Sequence, residues 1–206
     1  MPMDLPKRSP RAELPGNDGF VARALLKWPD VPACYGWLGL NGRGRWLIQG
    51  APITHSGILD FINRHYLADQ RGCWYVQNGP QRAYVDLELA PWILVLDGHH
   101  QLMTHTGRQV TQIEALTITD TGQIFLLTEH GFGALSDRDL ANFLARCRSD
   151  ACSLSHEQLL EALLALNRGD ARLALQWGGH RIRCRHVPWH DLEHEFGFQR
   201  HPAGER

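Results

Sequence analysis

The chain has 206 residues, 43% apolar and 21% charged, with a formal net charge of −1. That length suits one medium domain or two small ones with a sizeable core. The near-zero charge gives no global field to attract nucleic acid or an anionic membrane, and no run of eighteen uninterrupted apolar residues occurs.

In chain order, residues 1–32 read as a tail, because six of the eleven prolines fall there. Within it, "FVARALLKW" at Phe20–Trp28 suits a short amphipathic helix stopped by Pro29 and Pro32. Nothing in this stretch resembles an apolar leader, so the sequence points to a cytoplasmic protein. From Tyr35, "YGWLGL" and "RWLIQG" flank "NGRG", a hairpin signal because Asn and Gly tolerate positive φ. "THSGILDFINRHY" follows as a helix capped by Thr54 or Ser56, with Ile58, Leu59, Ile62 and Tyr66 on one face. Two strands then surround Asn78-Gly79, and Ala83, Val85, Leu87 and Leu89 alternate with Arg82, Tyr84, Asp86 and Glu88.

After a hairpin turning at Asp97–Gln101, the same order returns. "LTITDTGQIFLL" is a hairpin, and "SDRDLANFLARC" is a helix capped by Ser136 with a Leu140, Phe143, Leu144, Cys147 stripe. "SHEQLLEALLAL" adds a helix with a Ser155…Gln158 capping box, and "RLALQWGGHRIRCRHV" closes with strand, turn and strand. Short matches fall in register: "DFINR" at 60–64 with "NFLAR" at 142–146, and "QNGPQR" at 77–82 with "QWGGHR" at 176–181. Each closing hairpin reaches Pro-Trp, at Pro91-Trp92 and at Pro188-Trp189. The expected fold class is therefore α+β: two tandem ββαββ-like units, each a small antiparallel sheet packed with one or two helices. The expected boundaries are 1–32 for the tail, 33–110 for the first unit with its connecting hairpin, and 111–206 for the second unit with its extra helix and C-terminal cap.

The run "GRWLIQGAPI" before a helix, followed by "APWILVL" and the "THTG" hairpin, resembles an uncharacterised bacterial family, domain of unknown function 1285, or a proteobacterial relative of it. The resemblance spans about residues 35–190 and implies two related α+β units in tandem with a role in signalling. It carries over no catalytic residue, and the histidine-rich turn and C-terminal segment depart from the family pattern.

The chemistry-bearing residues have structural explanations beside functional ones. The five cysteines are odd in number and scattered through apolar segments, which suits buried thiols rather than disulfides or a zinc cluster. His99, His100 and His105 cluster on the central hairpin, but adjacent side chains at a turn diverge into water, where a metal site needs three or four converging donors. Asp86 and Glu88 share a strand face and Arg82 and Arg181 hold equivalent places in the two repeats; these are the candidate binding residues. "HDLEH" at 190–194 matches the inverted zinc-protease pattern, with His190 and His194 as ligands and Glu193 as base. Only twelve residues follow His194, and Gly197 is placed to end a short helix, so a terminal cap explains the segment better.

No nucleophile elbow, phosphate loop or dinucleotide fingerprint is present, and nothing calls for a cofactor. The sequence thus favours a non-catalytic module that binds a small molecule or protein partner between its two units, with no nucleic-acid or membrane partner. A metal-dependent hydrolase built on His190, Glu193 and His194 is the alternative.

Overall fold

One loop design recurs along the chain and sets the geometry of its hairpins. In the computed structural model, which describes residues 32–149 and 173–204 with Gln158, Glu161, Ala162, Ala165 and Leu166, the loop occurs at Asn41–Arg45, Asp69–Cys73, Thr104–Arg108 and Thr119–Gln123. The first side chain accepts the N–H four residues on, as in Arg45 N to Asn41 Oδ1 at 2.9 Å and Gln123 N to Thr119 Oγ1 at 3.2 Å. The fourth residue is a glycine with φ between +74° and +83°, the left-handed conformation that a three-residue hairpin loop requires. In "NGRG" it is therefore Gly44 that takes the positive φ, while Asn41 contributes its side-chain oxygen. The Asp97–Gln101 loop is built alike, with His100 at φ +60° where the others have glycine.

The strands joined by these loops form two sheets. The first has the order β3-β2-β1-β6-β5-β4, from β1 (Ala33–Leu40), β2 (Trp46–Ile48), β3 (Ala51–Pro52), β4 (Tyr66–Ala68), β5 (Trp74–Asn78) and β6 (Gln81–Leu87). Helix α1 (Ser56–Arg64) joins β3 to β4 and buries Phe61 and Ile62. The second sheet uses β9 (Ile113–Ile118), β10 (Ile124–Thr128), β11 (Gly131–Leu135), β12 (Arg148–Ser149), β13 (Ala174–Trp177) and β14 (His180–His186). Read from β11 to β12, its order is β11-β10-β9-β14-β13-β12, the same path as the first. Helix α2 (Leu140–Leu144) lies between β11 and β12 and buries Phe143 and Leu144. The hairpin β7 (Trp92–Leu96) and β8 (Leu102–Thr104) extends the second sheet, with β7 parallel to β11.

The class is α+β, dominated by strands, but the small antiparallel sheets expected from the sequence are mixed. The central pairs β1 with β6 and β9 with β14 are parallel, because the helical crossover returns the chain beside its first strand in the same direction. Among the described residues, each half also has three strands before and three after the helix that follows its third strand. The added edge strands β3, β4 and β12 span two or three residues, too few to leave an alternation in the sequence.

Helix starts differ as well. Neither Thr54 nor Ser56 caps α1, whose N-cap is His55 without a side-chain bond. Ser136 is buried ahead of α2, and Asp139 at the N-cap turns its carboxylate away to accept the Leu96 N–H at 3.1 Å. That bond secures β7 to the start of the helix. The tail helix at 20–28 and most of the helix at 155–166 lie outside the described residues; within the latter, Gln158, Glu161, Ala162 and Ala165 are helical. Among the described residues no helix is long and apolar enough to cross a membrane.

One apolar cluster runs through both halves, from Leu38, Ile62 and Val85 through Trp92 and Leu94 to Leu116, Phe125 and Leu175. A cage of rings lies where the first sheet meets the β7–β8 hairpin. Tyr66 meets Trp46 and Trp92 edge-on with centroids 5.0 and 5.5 Å apart, and Trp74 meets Trp92 at 5.2 Å. The polar tips are satisfied: Tyr66 Oη donates to Pro91 O at 2.9 Å, and Trp92 Nε1 to His130 O at 2.7 Å. The C-terminal strap then returns from the second half to the first, with Gln199 N donating to Gly72 O at 3.0 Å and Leu87 N to Arg200 O at 2.8 Å.

Candidate functional site

The topological match between the two halves places their first hairpin loops at a shared junction. Loop residues Asn41, Gly42 and Arg43 from the first sheet and Thr121, Gly122 and Gln123 from the second line a cavity of about 550 Å³ between them. Glu88 and Leu89, just beyond β6, also line it, together with the apolar Ile124, Ala134, Leu135 and Leu140 and the carboxylate of Asp137. A volume of this size falls in the range of small-ligand sites.

Each junction loop is moored by the segment that follows the last strand of its own half. Gly42 N donates to Glu88 Oε2 at 2.9 Å, and Trp189 N donates to Asp120 Oδ1 at 2.8 Å. The latter bond holds the Asp120 carboxyl below its ordinary range. Gly42 packs closely against this segment, a Cβ there lying 2.9 Å from Leu89 Cδ1 and 3.3 Å from Glu88 Oε1, both ends of flexible side chains. At the rim, Arg43 and Asp137 approach only to 4.0 Å, with side chains 54% and 70% exposed, a contact worth little in water.

Of the sequence-derived candidates, Glu88 is thus in the junction wall. Asp86 is not in this lining; it lies 3.7 Å from His201 Nδ1 and, with Glu88, lines a second cavity of about 320 Å³ beside β1. Arg82 lies elsewhere on the first sheet, its guanidinium 4.7 Å above the Tyr75 ring and hydrogen-bonded to Tyr84, which pushes its pKa up. Arg181 is exposed on β14 opposite Gln176, as Arg82 is opposite Gln77 on β6. The register equivalence holds, but neither arginine lines the junction.

In the C-terminal segment, a 3-10 turn at Trp189–Asp191 leads into α3 (Leu192–Phe196), which Gly197 ends at φ +66°. Leu192 is fully buried, and Phe196 stacks on Phe132 with centroids 3.5 Å apart. Glu193 grips Arg200, which donates its backbone N at 2.6 Å, Nε at 3.0 Å and Nη2 at 2.8 Å. Burial alone raises this carboxyl, but the Arg200 bonds outweigh it and hold the group below its ordinary value. His190 and His194 are exposed, and His190 lies 3.5 Å from Asp191. Glu193 therefore anchors the strap rather than facing the two imidazoles. Among the described residues no three His, Cys, Asp or Glu side chains converge as metal ligands.

The central histidines separate too. His99 and His100 are exposed at the turn, whereas the His105 ring is enclosed by Trp46, Tyr66 and Trp92 with centroids 5.3 to 5.8 Å away. Its Nδ1 accepts the Ile93 N–H at 3.2 Å, which puts the proton of the neutral ring on Nε2, a buried atom without a hydrogen-bond partner. Burial, with the Arg108 charge added, pushes its pKa down to about 3. Gly44 covers this ring's attachment: a Cβ there would lie 2.8 Å from His105 Cβ, so the junction loop rests on the aromatic cage.

Cys34, Cys73, Cys147 and Cys184 are free and buried or half-buried. Burial pushes Cys147 and Cys184 up to about 12, which keeps both as unreactive thiols at neutral pH. Cys152 lies outside the described residues.

The DUF2944 family model, described as a protein of unknown function (DUF2946), matches residues 17–203. Among solved structures, a DUF1285 family protein from Silicibacter pomeroyi DSS-3 superposes with a TM-score of 0.50 at 14% identity, covering 86% of this chain and 100% of that one. A DUF1285 family protein from Shewanella baltica OS155 gives a TM-score of 0.40 at 18% identity, covering 53% of this chain and 91% of that one. The Silicibacter likeness extends the resemblance read from the sequence to the fold. None of the curated proteins compared matches the chain.

Proposed function

The chain belongs to the DUF2944 family of proteins of unknown function, and from that premise we propose that it is a non-catalytic module binding a small molecule at the junction of two duplicated units. The observation that carries this reading is the cavity of about 550 Å³ lined by the same hairpin loop of each half. The shared strand order and the matched hairpins at Gln77–Arg82 and Gln176–Arg181 support a tandem duplication as the origin of the two units. A duplicated fold brings equivalent loops together without any one residue needing special chemistry, and the wall combines apolar side chains with a few polar rim groups, as binding pockets do. The family resemblance read from the sequence extends this reading to a place in bacterial signalling.

Of the groups that suggest catalysis, Glu193 holds Arg200 and the Cys147 and Cys184 thiols remain protonated, which supports the non-catalytic reading.

Leu140→Trp tests the site. Leu140 is half-buried at the cavity wall, so a larger ring fills the space at a stability cost of about 1–3 kcal/mol. In a fragment screen read by calorimetry, Leu140→Trp is expected to weaken binding at least tenfold, while His99→Ala at the exposed turn leaves it unchanged. Undiminished binding by a folded Leu140→Trp protein contradicts a site at the junction.

A further inference from the structure

We propose that the junction cavity takes a ligand bearing a protonated amine on a short apolar body. This rests on the junction being the binding site, and the charge pattern of its lining carries it further. Two carboxylates, Glu88 and Asp137, and one guanidinium, Arg43, line the cavity, which leaves one uncompensated negative charge there. The chain as a whole is also nearly neutral, at −1, so no distant positive field offsets it.

The two carboxylates are incompletely used. Glu88 accepts the Gly42 N–H at Oε2, a neutral donor, and among the described residues no cation pairs with its charge. Asp137 has Arg43 at only 4.0 Å, with both side chains largely in water. An ammonium carries three donors and no acceptor, so it matches the carboxylate oxygens and the side-chain carbonyl oxygen of Gln123 in the same lining. An anionic head would instead meet two like charges for one opposite charge.

The apolar part of the lining suits the other end of the ligand. Ile124, Leu135 and Leu140, with Leu89 beside Glu88, offer apolar surface that a charged group cannot repay and a hydrocarbon can. Each methylene buried there contributes about 0.8 kcal/mol. An amine head near Glu88 and a carbon chain against the leucines therefore uses both parts of the lining. Polyamines fit less well, since their second cation would lie on the apolar wall.

Hexylamine, hexanol and hexanoate share one carbon chain and differ in the head, so NMR titration of the full chain with each at pH 7 separates the two ideas. Hexylamine is expected to shift the methyl resonances of Leu89, Ile124, Leu135 and Leu140 and to bind at least tenfold tighter than hexanoate. Glu88→Gln keeps an oxygen for Gly42 and is expected to weaken hexylamine binding several-fold. Should hexanoate or hexanol bind these methyls as tightly as hexylamine, the amine preference is overturned and the junction site stands. Should none of the three move these methyls, both the preference and the site fail.

Discussion

Gly72→Ala is expected to destabilise the protein by about 2–4 kcal/mol and to release its C-terminal strap. Gly72 has φ +77°, where alanine is strained, and an added Cβ would meet the Gly197 carbonyl oxygen and lie 2.9 Å from both Gly197 C and Phe198 Cα. All three are backbone atoms, so no rotamer change relieves the contact. The strap is what this approach secures: Gln199 N donates to Gly72 O at 3.0 Å and Gln199 Nε2 to Arg71 O at 3.2 Å. Gly107→Ala isolates the two contributions, because Gly107 has φ +83° but open space around a Cβ. Thermal unfolding should fall by about 5–10 °C for Gly72→Ala and by much less for Gly107→Ala. Hydrogen exchange at the Leu87 amide, which donates to Arg200 O at 2.8 Å, should quicken in the first variant alone. Equal melting shifts for the two would show that the close approach contributes nothing.

The second large effect is acid sensitivity set by His105. Its ordinary value of 6.5 falls to about 3 in the folded chain, because packing among the rings desolvates it and Arg108 adds positive charge. A depressed histidine favours the folded state fully above pH 6.5; as pH falls, the unfolded chain binds a proton that the folded chain refuses. Stability is therefore lost between pH 6.5 and about 3, at about 1.4 kcal/mol per pH unit. Between pH 7.5 and 5 the loss amounts to about 2 kcal/mol. Glu129 and Glu193, both held below their ordinary 4.5, add their own loss only at lower pH. His105→Asn retains an acceptor for the Ile93 N–H and cannot titrate. It is expected to be less stable at pH 7.5 through lost ring packing, yet to show a slope flatter by about 2 kcal/mol over this window in urea unfolding. Parallel slopes for the two proteins would place the acid sensitivity elsewhere.

Much of the fold is legible in the sequence where turn chemistry and alternation are local. The Gly178-Gly179 turn falls within the expected Gly-rich stretch, the first closing turn is Gly79-Pro80, one residue past the expected Asn78-Gly79, and Gln77 pairs with Arg82 as Gln176 does with Arg181. The short C-terminal helix ends at Gly197 as its backbone permits. The parallel pairing of β1 with β6 is not legible, because it depends on where α1 delivers the chain and not on any periodicity within the strands. His105 reads as one of a histidine cluster, but its register opposite Ile93 sends it into the aromatic core, while His99 and His100 stay at the turn.

The junction is harder to read than either. Its lining comes from residues 41–43, 88–89, 121–124 and 134–140, separate stretches whose side chains carry no motif. Glu88 could be picked out as an exposed carboxylate on an alternating strand, whereas Leu89, Leu135 and Leu140 look like ordinary core. The signal available in advance was the repeat itself, since equivalent hairpin loops in a duplicated fold are candidates to meet.

The most direct test of that junction is a methyl NMR screen of leucine- and isoleucine-labelled protein against a mixed fragment library. Binding between the two units predicts that the strongest hits move the Leu89, Ile124, Leu135 and Leu140 methyls together, with buried Leu175 in the second sheet unmoved. Hits that instead cluster away from these methyls, or shift none of them, would contradict it.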